Sequence, residues 1–453
     1  MNMSFLQELF SSITQREALQ RKFGTRKTVY NHKDLEAACH ELLNSDGEAA
    51  SIVMASRALD IYESLGDDDK RAFFGTLARN FAADPDKIDE AYRIYKSDRS
   101  NKHLAKLFEV SEPLRQELLR RLNLAQGATY ELVKMRQDFL TLMKGDKDFE
   151  PINADFIHLF GSWFNRGFLV LRRIDWTTPA SILEKIIRYE AVHKIQGWDD
   201  LRRRLDTRDR RCFGFFHPAI GDEPLVFVEV ALTKGIPDKI QPILAHDRYD
   251  IDAPELADSA AFYGISNCQV GLRGISFGNF LIKQVVQELK HELPNLKNFV
   301  TLSPLPMFRS WLEKTYHPDS GLLTPEAQEI LSHLDNPEWN KQPELAERLK
   351  EVVSPLAARY LLKEKNGSNL PLNPVARFHL GNGAELHRIN WLGDVSDSGM
   401  KQSAGLLVNY LYVLENIERN NEKYSTRGEI VCSSSVRELS KLGRKLLQGE
   451  LEK

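Results

Sequence analysis

The sequence predicts two architectures in one chain: a bundle of α-helices over residues 1–150, then an α/β (α+β) domain over residues 151–453. Three observations carry this. From the start to about residue 145, apolar residues recur at helical spacing. The stretch "KGDKDFEPINADF" (144–156) is polar, holds a proline and marks the boundary. Beyond it, short runs rich in Val, Phe and Ile alternate with helical segments, the mixture that makes a layered sheet-and-helix domain. A length of 453 residues agrees, being too great for one ordinary core.

The opening "MNMSFLQELFSSITQREALQRKF" is amphipathic, with Phe5, Leu6, Leu9, Phe10 and Ile13 on one face. A mitochondrial presequence has this shape, but Glu8 and Glu17 speak against one. "EAASIVMASRALDIYESLG" sets Ile52, Ala55, Leu59 and Tyr62 at helical spacing, and Gly66 and Pro85 break the pattern further on. The segment from His103 to Gly145 adds two or three helices, and no strict period marks a solenoid. No chemical motif falls here, so an oligomerising or scaffolding domain is expected. In the second half, residues 167–176, 211–218, 224–233, 260–268, 298–304 and 376–382 read as strands. "TPASILEKIIRYEAVH" and "NFLIKQVVQELKHEL" read as helices between them, and a helical insert, 324–365, precedes the last strand.

Composition removes several classes. Hydrophobic content of 42% and charged content of 28% fit a folded chain. A net charge of −3 argues against a nucleic-acid coat. No apolar run is long enough for a transmembrane helix. Cys39, Cys212, Cys268 and Cys432 lack metal-like spacing and read as reduced and buried. The C-terminal "QGELEK" carries no peroxisomal signal, which leaves the cytoplasm as the expected compartment. "RRRLDTRDRR" (202–211) reads as a solvated charged face.

The most informative region is "FYGISNCQVGLRGISFGNFLIKQVVQELKHELPNL", a strand, a glycine loop and a helix ended by Pro294. A helix start exposes unpaired N–H groups, and glycines let a phosphate approach them. The spacing G-x-x-G-x-x-x-G does not fit a dinucleotide fingerprint. Gly274-Ile-Ser276-Phe-Gly278 matches a nucleophile elbow, with His379 downstream in the right order, but polar and glycine residues intervene after the strand. Arg273-Gly274-Ile275-Ser276-Phe277-Gly278, followed by Asn279, resembles the coenzyme A loop of the N-acetyltransferase (GNAT) family, with Ser276 in place of the first glycine. Ser303 stands at a strand end in "TLSPLP", where Pro304 and Pro306 stiffen the chain beyond it.

"TLSPLPMFRSWL", "NPVARFHLGNGAELHRINWLGDVS" and "NYLYVLE" come after the loop in this order, and "RRCFGFFHPAIGDEPLVFVEVALTKGI" precedes it. This series resembles the malonyl-CoA decarboxylase family over most of residues 160–430. The resemblance implies a GNAT-like catalytic domain behind a helical domain that helps assembly into a homo-oligomer, a tetramer. It implies malonyl-CoA as substrate, acetyl-CoA and CO2 as products, and no metal or biotin. The family's catalytic serine falls on Ser303, its histidine on His379 and a site tyrosine on Tyr412. Animal members carry an acid where Ser276 stands, so the role of that carboxylate is not carried over. Losing CO2 from a malonyl thioester leaves an enolate, which needs a donor at its oxygen and a proton at its carbon. His379 is the expected acid, because an ordinary imidazole titrates near neutrality. The alternatives are another CoA-thioester enzyme, an acyltransferase or a hydrolase using Ser276, and a non-catalytic helical scaffold.

Overall fold

The computed structural model describes residues 29–245, 254–275 and 281–448. The amphipathic opening stretch and Ser276 to Asn279 lie outside the described residues. The chain divides into two compact units, one ending at Leu159 and the next beginning at Phe160.

The first unit is helical throughout its described residues. Its helices start where local chemistry satisfies their first N–H groups. Asn31 and Asp34 form a capping box at His32–Leu43. Asp84 caps Pro85–Ser97, with the proline at the first helical position, where its missing N–H costs nothing. Phe73, Phe74, Phe81, Phe139 and Phe156 are buried and form much of the interior.

The second unit is built on an eight-stranded mixed sheet in the order β1-β2-β3-β4-β5-β8-β6, with β7 also paired to β8. The strands are β1 Val170–Ile174, β2 Arg210–Phe216, β3 Pro224–Thr233, β4 Ser259–Asn267, β5 Asn298–Thr301, β6 Ser303–Pro304, β7 Glu385–Asn390 and β8 Leu407–Leu411. All pairs are antiparallel except β4 with β5. β2 is buried along its whole length, and β3 as far as Leu232, so both faces are covered. On one side Ile182, Ile186 and Leu201, from helices Ala180–Tyr189 and Trp198–Leu205, pack on Cys212, Phe216 and Phe227. The helix Leu281–Glu292 buries Leu281, Ile282, Val285, Val286 and Leu289, the apolar face its spacing predicts. One parallel pair among antiparallel strands, with a glycine loop leading from β4 to that helix, is the GNAT-like arrangement.

The structure differs from the sequence reading at several points. Residues 376–382 are not a strand: the helix Pro374–Gly381 occupies them. The run 298–304 is two short strands, and β7 and β8 were not anticipated as strands. "RRRLDTRDRR" is not a solvated face, for Arg204, Arg210 and Arg211 are buried. Each meets an acid: Arg204 meets Asp200 and Glu229, Arg210 meets Asp209, and Arg211 meets Glu292. Charged side chains tolerate such burial only when paired. Cys39, Cys212 and Cys268 are buried, whereas Cys432 is only partly so.

Candidate active site

The site forms where the parallel pair ends. β4 and β5 run side by side from Ser259 opposite Asn298 to Phe262 opposite Thr301. The chain then leaves β5 for β6, while β4 continues to Asn267 with β3 as its partner. The strands part, and a cavity of about 210 Å³ opens between them. Phe262, Ile265, Leu302, Pro374, Val375 and Phe378 supply apolar wall, and Ser303 and His379 face the same space. The β3–β4 register slips opposite Tyr263, which has no partner on β3. In a regular strand Phe262 and Tyr263 would point to opposite faces; at the slip both line the cavity.

Local sequence places each polar group. Asn373 caps the histidine helix, its side-chain oxygen accepting from the Ala376 N–H at 2.9 Å. Pro374 stands at the first helical position. The Asn373 amide also donates to the Pro306 carbonyl at 3.0 Å, tying the helix to the segment after Ser303. Gly383 closes the helix with φ +83°, and the Ala384 N–H returns to the His379 carbonyl at 3.1 Å. Ser303 lies on β6 opposite Val408, and the Tyr412 N–H at the end of β8 donates to the Phe299 carbonyl at 2.8 Å.

These elements bring the three predicted residues together. Ser303 Oγ and His379 Nε2 are 2.9 Å apart, and His379 Nδ1 and Tyr412 Oη are 2.8 Å apart. The Tyr410 ring stacks on the imidazole at 4.6 Å between centroids. Thr301 Oγ1 donates to the Val408 carbonyl at 3.3 Å, and accepts from the Tyr410 N–H at 3.0 Å and from Ser303 Oγ at 2.9 Å. A hydroxyl has one proton to give. With Ser303 donating to Thr301, Nε2–H donates to Ser303 and the Tyr412 hydroxyl donates to Nδ1. Every donor then has an acceptor. The opposite order leaves the Tyr412 proton without an acceptor among the described residues. The network therefore assigns the Nε2–H tautomer.

Burial pushes the His379 imidazole down to about 3, so it is neutral at pH 7. This corrects the expectation of an imidazole that titrates near neutrality in the resting protein. Burial, with Tyr410 adding to it, raises the Tyr412 phenol well above its ordinary value, so it stays protonated and keeps its donor role.

The loop residues are placed only in part. Arg273 comes after a short turn, Val270–Leu272; Gly274 has φ +80°, which favours glycine; and Ile275 is buried. Ser276, Phe277, Gly278 and Asn279 lie outside the described residues. Ser276 comes nine positions after the last residue of β4, whereas an elbow serine sits at the strand end. Among the described residues no group of three His, Cys, Asp or Glu could hold a metal ion, and no helix is long and apolar enough to cross a membrane.

Family models described as the malonyl-CoA decarboxylase C-terminal and N-terminal domains match residues 167–450 and 81–164. The chain belongs to the malonyl-CoA decarboxylase family. The mitochondrial malonyl-CoA decarboxylase of Anser anser anser is 35% identical over 408 residues, covering 83% of this chain and 81% of the relative. That of Rattus norvegicus is 33% identical over 426 residues, covering 86% and 85%. The crystal structure of malonyl-CoA decarboxylase from Rhodopseudomonas palustris is 53% identical with a TM-score of 0.87, covering 90% of this chain and all of that one. The Agrobacterium vitis structure is 51% identical with a TM-score of 0.85, covering 90% and 99%.

Four residues of this candidate site, Thr301, Tyr410, Asn373 and Pro374, escaped the sequence reading. Thr301 and Tyr410 stand two positions from Ser303 and Tyr412, the spacing that puts strand side chains on one face. Asn373-Pro374 is a helix-start signature, and it would have exposed the false strand at 376–382.

Proposed function

We propose that the chain converts malonyl-CoA to acetyl-CoA and CO2 in this cavity, with His379, Ser303 and Tyr412 as its chemical groups. The observation that carries the reading is the 2.9 Å contact of Ser303 Oγ with His379 Nε2 on the cavity wall. The thioester arm would enter along β4 from Tyr263 to Asn267, beyond the end of the β5 pairing, where an amide-bearing chain can hydrogen-bond to a strand edge. Its diphosphate would rest on Arg273, Gly274, Ile275, Ser276, Phe277, Gly278 and Asn279, ahead of the helix Leu281–Glu292.

Breaking the bond from the α-carbon to the carboxylate releases CO2 and leaves the electron pair on the α-carbon. The thioester carbonyl takes that charge as an enolate, so no metal or cofactor is called for in this reading. Ser303 turns its hydroxyl proton from Thr301 to the enolate oxygen, a donor worth roughly 3 kcal/mol. The reaction consumes one proton. A carboxylate set beside the neutral imidazole favours its protonation, so the proton arrives with the substrate. Once CO2 has left, burial again favours neutral imidazole: Nε2 passes its proton to the α-carbon, Nδ1 keeps the proton taken up with the substrate, and exchange with solvent after product release restores the Nε2–H form. Tyr412 Oη can donate to Nδ1 or accept from it, and so holds the ring in both charge states.

The test is malonyl-CoA alone, with products resolved by mass. Acetyl-CoA and CO2 support the proposal. Free CoA with malonate would support a hydrolase instead, and no turnover without an added amine would support an acyltransferase. His379→Asn should lower turnover by about 10²- to 10⁴-fold while acetyl-CoA binding stays within a few-fold. Near-normal turnover in that variant would remove His379 from the mechanism.

The first unit serves self-association into a tetramer, a role suited by the helix Asn101–Ser111, which buries none of its residues and leaves Phe108 70% exposed. Light scattering on the intact chain measures this, and a monomer would refute it. All four cysteines are free, as a reducing compartment keeps them, and the cytoplasm is the compartment proposed.

A further inference from the structure

A second cleft, of about 610 Å³, lies between the helices Pro343–Lys363 and Ser434–Lys445. Among the described residues six cations line it, Arg359, Lys363, Lys365, Arg437, Lys441 and Arg444, and no acid does. A chain with net charge −3 has no general surplus of cations to account for such a group. Elsewhere in the protein many surface cations pair with an acid three or four residues away, as Lys106 does with Glu109 and Lys350 with Glu347. In the cleft Lys441 pairs with Glu438 at 2.7 Å, and Arg359 and Arg444 have interactions of their own.

The cations are arranged rather than scattered. Arg437, Lys441 and Arg444 stand at i, i+4 and i+7, one face of their helix. Arg359 and Lys363 stand at i and i+4 on the facing helix. The two helices touch at Gly443, where a Cβ would lie 2.6 Å from the Pro355 carbonyl oxygen, so their spacing is set by backbone contact. A helix C-terminus attracts cations and accounts for Lys363 and Arg444, each in a last turn. It does not account for Arg359, Lys365, Arg437 or Lys441. Lys365 is held below its ordinary value by burial and by the neighbouring Lys363, as expected where like charges are crowded. Such crowding is relieved by an anion, and multiply charged phosphoryl groups match guanidinium and ammonium donors in both charge and geometry.

We propose that this cleft is a binding site for a small phosphoryl-bearing polyanion, of three or more negative charges, separate from the thioester cavity. Separation follows from the helix Ile417–Arg427. Lys283, near the start of the helix proposed to follow the diphosphate loop, pairs with Glu418 at 2.6 Å. Gly428, at the far end of Ile417–Arg427, lines the cleft, ten residues or about 15 Å of helix away. The assignment does not rest on the proposed activity, because it is read by binding without turnover.

The experiment titrates inorganic tripolyphosphate into the intact protein by calorimetry, with and without saturating acetyl-CoA. Saturable binding that weakens as salt rises and persists with acetyl-CoA is expected. The double variant Lys363→Glu/Arg437→Glu changes two exposed residues and should weaken binding at least tenfold. A control with the same charge change in the first unit, Lys87→Glu/Lys96→Glu, should leave it within twofold. If the double variant loses its cooperative melt, Lys365→Gln with Lys441→Gln replaces it, with the same loss expected. Displacement by acetyl-CoA would overturn the proposal by making the phosphates those of the thioester. Equal weakening in the control, or no saturable binding, would overturn it as bulk charge.

Discussion

Replacing Tyr412 by phenylalanine removes one oxygen and leaves the ring in place. That oxygen stands behind the imidazole, 2.8 Å from Nδ1, and Tyr412 does not line the cavity. Its loss strands a fully buried acceptor, which costs about 1–3 kcal/mol. It also removes the donor that holds the Nε2–H tautomer, so part of the population turns its proton away from Ser303. At about 1.4 kcal/mol per tenfold, turnover should fall about 5- to 100-fold, with KM within about twofold because the substrate is not touched. Steady-state release of acetyl-CoA from malonyl-CoA, followed by mass, separates the two constants. Thermal melting on the same sample should show a loss of a few degrees at most for a unit of this size. Wild-type turnover in a variant that melts early would show that Tyr412 only packs, and the tautomer argument would fail.

Ser303→Ala removes the donor proposed for the enolate oxygen and should lower turnover about 10²- to 10³-fold; a loss under threefold would reassign that oxygen. Gly383→Ala forces a side chain onto φ +83° and puts a Cβ 2.2 Å from the Ile417 carbonyl oxygen, so stability should drop by about 3 kcal/mol or more, measured by urea unfolding. Gly367→Ala, with open space around it, is the control that should stay near wild type. His379 and His193 are pushed down to about 3 and about 4, chiefly by burial. Both therefore add stability that is complete above about pH 6.5, where the unfolded imidazoles are neutral too, and that is lost as pH falls toward the folded values, by up to about 1.4 kcal/mol per pH unit for each. Urea midpoints from pH 7 to pH 4 check the sign: His379→Gln should flatten the decline, and an unchanged slope would contradict the neutral buried imidazole.

Much of the frame was legible in the sequence, because local chemistry writes it. Helical periodicity marked the first unit, and β2, β3 and β4 stand out as continuous apolar runs. Ser303, His379 and Tyr412 were named from a resemblance in motif order, although no spacing joins residues so far apart in the chain. The strand expected at 376–382 shows the limit of local reading. "ARFHLGN" has the apolar content of a strand, yet Asn373 and Pro374 cap a helix there, and the cap overrides so short a pattern. The arginines near 204–211 were read as solvated because, beside the local Asp200 and Asp209, the acids that complete their pairing come from distant segments, Glu229 on β3 and Glu292 at a helix end.

The sequence by itself determined the helical character of the first unit, the places of β1 to β4, which helix faces are apolar, and that a glycine loop precedes an amphipathic helix. These depend on residues within one or two turns of each other. Only the tertiary structure decided that Ser303, His379 and Tyr412 meet, that the imidazole is neutral, and which of its nitrogens carries the proton. Those properties come from β6, the histidine helix and β8 closing around one ring, and from the water their packing excludes. Neither proximity across 76 residues nor desolvation is a property of any short stretch of chain.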